Sequence, residues 1–297
     1  MCGVVDVSLI KRNVKKLKNV ANVSSFRKLA AATWSAPDDP TIYGQLDLDV
    51  TAALDYLKRK EKESGEKITV THLVGRCLAQ CFREYPAANA MVRLGRFYER
   101  ETVDMFFQVA ITGKTPGKGD DLSGVVVRSA DTLSVVDIAR QLRERARKVR
   151  RNEDKEVSKA KNNLQWVPGL ALKPMLALVD FFSYELNVGL PGMPRDPFGT
   201  AMVTSMGMFG ISRAWAPLFP PSHCPMVLMV GAIERRPWVV EENGEETLAI
   251  RPGMTLCVAM DHRVIDGVLG AMMTKRIREL MLNPDLLDEL TEAQRLS

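Results

Sequence analysis

The stretch Asp261-His-Arg-Val-Ile-Asp-Gly267 constrains the fold of this chain more than any other. It follows Thr255-Leu-Cys-Val-Ala-Met260, a near-continuous apolar run that reads as a fully buried strand. It precedes Leu269, Met272, Met273, Ile277 and Leu280, which recur at helical spacing. A histidine is thereby set at a strand-to-helix junction, with a carboxylate four residues later and Gly267 to permit the turn. Only three histidines occur in the 297 residues, so this placement is informative. On the residues alone, the junction is either a structural tie or part of a site, because ion-pair networks mimic sites.

The remaining pattern fits one mixed α/β domain. Thr41 to Leu48 alternates and predicts a strand; Val50 to Lys62 predicts an amphipathic helix that stops at Gly65. Thr69 can cap a second helix with Val70, Val74, Cys77, Leu78 and Phe82 on one face. Val103 to Ile111 and Gly124 to Val127 read as strands joined by a Gly-rich turn, Thr112 to Ser123. Val135, Ile138, Ala139, Leu142, Ala146 and Val149 form a helical stripe, and Met226 to Ile233 reads as an internal strand. Asn243-Gly244 between Trp238-Val-Val-Glu and Thr247-Leu-Ala-Ile is a hairpin signal. Residues 152–196, polar and then apolar, lie outside this scheme, as do a basic N-terminal arm at 1–23 and a polar tail at 288–297.

Composition excludes several classes. A hydrophobic share of 46% is ample for a core, and a net charge of +5 is too mild and dispersed for nucleic-acid binding. Leu170 to Leu190, interrupted by Lys173, Asp180 and Glu185, falls short of a membrane span and predicts a buried or subunit-contacting helix. With no secretory signal, a cytoplasmic location is expected. The cysteines (Cys2, Cys77, Cys81, Cys224 and Cys257) are unpatterned and read as reduced core thiols, and no metal spacing exists. His72 reads as a surface or boundary residue, and His223 sits in a loop with no partner evident. Arg140, Arg143, Arg145, Arg147, Lys148, Arg150 and Arg151 read as a solvated helix face, with phosphate contact as the alternative. The basic residues of Ile10 to Lys18 read as a solvated arm, with an acidic or phosphate partner as the alternative.

The heptad around His262 resembles the active-site signature of the dihydrolipoamide acyltransferase catalytic domain of 2-oxoacid dehydrogenase complexes. Arg27-Lys-Leu-Ala-Ala-Ala-Thr-Trp34 resembles that family's opening Arg-Lys helix, and Thr204-Ser-Met-Gly-Met-Phe-Gly210 resembles its Ser-Asn-Leu-Gly-Met-Phe-Gly segment. Gly231 to Pro237 and Leu280 to Leu287 also sit in the family's order. The resemblance covers Ser24 to Leu287, so residues 24–287 are expected to be the catalytic domain. It implies an α/β (α+β) fold of the chloramphenicol acetyltransferase type, a mixed central sheet flanked by helices, assembled as a trimer.

The chemistry follows from the resemblance and from thiol reactivity. Acyl transfer between coenzyme A and another thiol needs a base, because the thiolate is the nucleophile. His262 would be that general base. By resemblance, Asp266 pairs with Arg27 and holds the loop, with Gly267 beside it. Attack on a thioester builds charge on the carbonyl oxygen, which a hydroxyl donor stabilises. Alignment puts Thr204 there, with Ser205 the alternative. The family's active site lies between subunits, so His262 of one copy would face Thr204 of its neighbour. Coenzyme A and a lipoyl group are the implied substrates, with the lipoyl group supplied by another protein because no room exists for a lipoyl or peripheral-subunit-binding domain. No metal, nucleic acid or membrane is expected. The family's connection at 152–196 is much shorter, so the resemblance makes this segment an insertion with its own helix; the insertion and the polar tail favour free trimers or a smaller shell over the usual hollow cage. Two other functions fit the same residues: a chiefly structural oligomeric shell, and a small-molecule O-acetyltransferase of the chloramphenicol type.

Overall fold

The structure, a computed structural model, describes residues 39–111, 121–150, 169–189, 196–242 and 244–296. Residues 40–297 cluster as one compact unit, separate from residues 1–39. The basic arm, Arg27 and most of the glycine-rich turn lie outside the described residues.

A mixed seven-stranded sheet organises the unit. Its strands are β1 (Thr41–Asp49), β4 (Met105–Ile111), β5 (Asp121–Val127), β6 (Ala201–Ser205), β7 (Met226–Val230), β8 (Glu234–Glu242) and β9 (Glu245–Asp261). The order is β1-β9-β7-β6-β4-β5, and β8 pairs with the first half of β9. β6 runs parallel to β4 and β7, while β9 is antiparallel to β1, β7 and β8. The β8–β9 hairpin turns at Gly244, whose φ of 84° suits glycine. A small hairpin, β2 (Ala90–Arg93) with β3 (Arg96–Glu99), was not read from the sequence.

Helices α1 (Thr51–Ser64), α2 (Val70–Glu84), α3 (Val135–Arg150), α5 (Gly267–Leu282) and α6 (Leu286–Leu296) join the sheet in the main core; α4 (Gly169–Asp180) stands in the insertion. Strand alternation decides which residues meet the helices: Leu46, Leu48, Val203, Leu228, Val230 and Leu256 enter the main core. Met202 and Val227, their neighbours along the strands, form a smaller cluster with Cys224, Phe106, Phe198 and Leu218. Gly75 lets α2 lie close on β4, since a Cβ there would sit 2.3 Å from the Phe107 ring.

Two segments differ from the sequence reading. Residues read as a polar tail form an amphipathic helix, α6, which buries Leu287 and Thr291. It completes the surroundings of Arg76, a fully buried guanidinium on α2 that donates to Gln80 Oε1 at 2.9 Å and Thr291 Oγ1 at 3.2 Å. The apolar segment near 170–190 forms α4 and a following π turn, Phe181–Glu185, but is not buried by its own chain: Leu176, Leu178, Phe181, Phe182, Leu186 and Val188 are exposed. Among the described residues no helix is long and apolar enough to cross a membrane.

Candidate active site

β9 delivers His262 to the end of the sheet, where backbone and side-chain bonds fix the turn. Asp261 N–H donates to Pro225 O and His262 N–H to Pro40 O, both at 2.9 Å, tying the junction to β7 and to the lead-in of β1. Asp261 O accepts from Val264 and Ile265 N–H at 3.0 and 2.9 Å, and fully buried Ile265 pins the turn to the core. The Asp261 carboxylate grips Arg263 with both oxygens, Nε donating at 3.0 Å and Nη2 at 2.7 Å. Such a fork restrains both partners more than a point contact does. The i, i+2 placement of Asp261 and Arg263 is visible in the sequence, but no local pattern marks it as a fork. The His262 imidazole is exposed on the single chain.

Asp266 caps α5. Its Oδ1 accepts from Leu269 N–H at 2.8 Å, satisfying one orphan donor of the first turn. Gly267 corrects an expectation. It is the first residue of α5, it is absent from the positive-φ glycines, and a Cβ there would meet nothing within 4 Å. The turn itself does not require glycine at this position.

Thr204 lies on β6, buried to 7% exposure. Alternation puts its side chain on the face away from the helices, with Met202, while Val203 points into the main core. By the same rule Ser205 points to the opposite face from Thr204. Thr204 pairs with Met229, and Met229 with Cys257, so the three form one row across β6, β7 and β9. Two residues along from Cys257, Thr255 Oγ1 donates to Asp47 Oδ1 at 2.5 Å. That bond first, and then the Arg213 and Arg236 charges, hold the Asp47 carboxyl below its ordinary range despite burial.

This register separates the two principal candidates. His262 stands five residues beyond Cys257 on β9, and β7 lies between β9 and β6. Strand rise and spacing then put Thr204 and His262 roughly 20 Å apart, at opposite ends of the sheet. One copy does not bring them together.

The other candidates occupy structural posts. His72 is half-buried at the start of α2, and its Nδ1 accepts from Thr69 N–H at 3.1 Å, the return arm of a capping box. Burial first, and then Arg143, hold its pKa down to about 4. His223 has a partner after all: its Nε2 lies 2.7 Å from Asp180 Oδ1, and its ring stacks on Tyr184 at 4.0 Å. Both partners come from the insertion. Arg143 pairs with Glu66 at 2.6 Å, and Arg145 donates to Val126 O, so these arginines serve the fold. Cys77, Cys81, Cys224 and Cys257 are free and buried. Among the described residues no group of three or more His, Cys, Asp or Glu is placed to hold a metal. Arg27 lies outside the described residues, so the structure does not show its pairing with Asp266.

The sequence matches the family model for the 2-oxoacid dehydrogenases acyltransferase (catalytic domain) over residues 15–160 and 198–288. The chain belongs to this family. The acyltransferase match stops on either side of 161–197, within the insertion that carries α4. Among its relatives is the dihydrolipoyllysine-residue acetyltransferase component of the pyruvate dehydrogenase complex of Acholeplasma laidlawii, 24% identical over 81% of this chain and 36% of that one. Another is the lipoamide acyltransferase component of the branched-chain alpha-keto acid dehydrogenase complex of Bacillus subtilis, 24% identical over 91% of this chain and 53% of that one. The chain thus spans between about a third and a little over half the length of such relatives. The fold is similar to the Azotobacter vinelandii dihydrolipoamide acetyltransferase, studied for the role of a serine, a histidine and an asparagine in its catalytic mechanism. That match has a TM-score of 0.59 at 20% identity and covers 84% of each chain. It is also similar to the cubic core of a pyruvate dehydrogenase multienzyme complex, with a TM-score of 0.59 at 19% identity over 92% of this chain and 94% of that one.

Proposed function

We propose that this chain moves an acyl group between coenzyme A and a dihydrolipoyl thiol, in a site built by two copies of the chain. The sheet register carries this reading: a base at one end and a buried hydroxyl at the other form one site only if a second copy brings its Thr204 end to the first copy's His262 end. Such a contact joins unlike surfaces, and head-to-tail contacts close into rings. A ring of three agrees with the family resemblance.

The chemistry balances without a further reactant. His262 takes the proton from the incoming thiol, and the thiolate adds to the thioester carbonyl carbon. The hydroxyl of the neighbouring copy's Thr204 donates to the oxyanion of the tetrahedral intermediate. Collapse breaks the original C–S bond, and the leaving thiolate takes the proton back from the imidazolium. An imidazole can both accept and return a proton near neutrality, which serves both directions of the transfer. Asp266 orders the start of α5 through its cap. In the Azotobacter vinelandii enzyme the studied asparagine stands four residues after the histidine, the offset that Asp266 has from His262.

The test is a steady-state assay of acetyl transfer between acetyl-coenzyme A and dihydrolipoamide. His262→Ala is expected to lower turnover by at least about a hundredfold, the low end for a lost general base. An active wild type matched by an equally active His262→Ala variant contradicts the reading. A folded wild type with no transfer to thiol acceptors contradicts it as well.

A further inference from the structure

The insertion is the part of the described structure that the acyltransferase reading leaves without a task. Its two faces differ. Asp180 and Tyr184, four residues apart, share one side of the helical segment, and Leu178, Phe182 and Leu186, likewise four apart, share another. The first side is latched to the domain. Asp180 meets His223 at 2.7 Å and Tyr184 stacks on the same ring; separately, the end of the segment is held by Glu185, which accepts from Leu94 N–H at 2.5 Å and, through its backbone oxygen, from Arg93 Nη2 at 3.2 Å. The second side exposes its apolar side chains: Leu178 is 59% exposed, with Phe182 and Leu186 also exposed.

The latch fixes where this apolar face lies. His223 stands two residues before Pro225, and Pro225 O accepts from the N–H of Asp261, the residue before His262. The insertion is therefore held at the His262 end of the sheet. The Thr204 end carries its own exposed apolar group. β6 runs straight into the Gly207–Phe209 turn, where Met208 is 67% exposed, with Phe209 and Ile211 also exposed. Isolated exposed apolar residues are ordinary, but contiguous sets mark contact sites. Here one set flanks each half of a divided site.

We infer that the apolar face of the insertion, centred on Leu178 and Phe182, seats on the Met208–Ile211 region of a second copy and clamps together the two halves of the acyl-transfer site. The inference rests on the shared-site reading, and it assigns that contact to residues outside the family match. The partner is another copy because the neighbour's Thr204 end, with its exposed Met208, is what a shared site brings against the His262 end.

The experiment measures the concentration at which the assembled protein dissociates, by mass photometry with analytical ultracentrifugation. Leu178→Asp/Phe182→Asp is expected to raise that concentration at least about 30-fold, as loss of two large buried apolar side chains would. Met208→Asp is expected to raise it in the same direction. Combining all three changes is expected to give less than the product of the separate effects, because both sides of one contact are then already lost. These side chains are exposed on the single chain, so circular dichroism of the variants should match the wild type. A dissociation concentration within about threefold of wild type for Leu178→Asp/Phe182→Asp overturns the clamp while leaving the shared site to its own assay. Separate effects that multiply fully overturn the pairing of these two surfaces. A wild type that stays a single chain at every concentration overturns clamp and shared site together.

Discussion

Asp261 and Arg263 grip one another across the intervening His262, through a carboxylate–guanidinium fork that closes at 2.7 to 3.1 Å. The fork lies on either side of His262, the proposed general base, so its expected action is on the position of the imidazole. Asp261→Asn keeps the local backbone acceptor and loses the charged fork. It is expected to lower kcat by about tenfold with KM changed less than twofold, since small displacements of a catalytic group cost turnover. Arg263→Lys, which cannot form the fork, should behave alike. Steady-state kinetics with both substrates varied checks the split; a rise in KM at unchanged kcat would assign the pair to substrate binding instead.

Asp266 is an N-cap, which separates its stability role from any proton transfer. Asp266→Ala should lose about 1 kcal/mol of stability, read as a lower urea midpoint at unchanged slope. Asp266→Asn keeps a capping oxygen and should stay within about 0.5 kcal/mol of wild type. If Asp266→Asn matches wild type in stability yet loses turnover as severely as His262→Ala, the carboxylate has a chemical task beyond holding the loop.

His72 predicts a pH dependence of stability. Its folded pKa is about 4, below the unfolded value near 6.5, because burial disfavours the imidazolium. Between those values the unfolded chain binds more protons, so stability falls as pH falls through this window. From pH 7 to 5 the loss is at most about 2 kcal/mol from this residue. His72→Gln supplies another capping-box side chain that does not titrate. Urea titrations at both pH values should show a smaller acid loss in that variant, and an equal loss would remove His72 as a cause.

Arg76 makes α6 a part of the domain. Thr291→Val removes one acceptor from a guanidinium that has no exposure, and should cost about 1–3 kcal/mol. Thermal unfolding should show the loss without a change in the low-temperature circular dichroism. An unaltered midpoint would mean that Arg76 finds a substitute acceptor.

The parts legible in the sequence are those where one local signal decides. β9, the turn and α5 could be read because an unbroken apolar run gives way to helical spacing at a capping aspartate. Thr69 and Gly65 marked helix ends for the same reason. The β2–β3 hairpin could not be read, because each strand has four residues and Phe97 and Tyr98 are exposed, so no alternation shows. α6 looked polar because its buried side includes Thr291, whose value comes from Arg76, 215 residues earlier. The partner of His223 was hidden likewise: Asp180 lies 43 residues away in the insertion, and only the folded chain sets them side by side. The distance between Thr204 and His262 needed the sheet order, which no local pattern contains.

The most direct measurement mixes two inactive copies. Thr204→Val removes the proposed oxyanion donor and should cost about a hundredfold or more in turnover; His262→Ala removes the proposed base. Dissociated, mixed in equal amounts and reassembled, the two variants should recover roughly a quarter of wild-type activity, because one head-to-tail contact in four then joins an intact His262 to an intact Thr204. A mixture no more active than its separate components, after exchange of subunits is verified by mass, would contradict a site shared between copies.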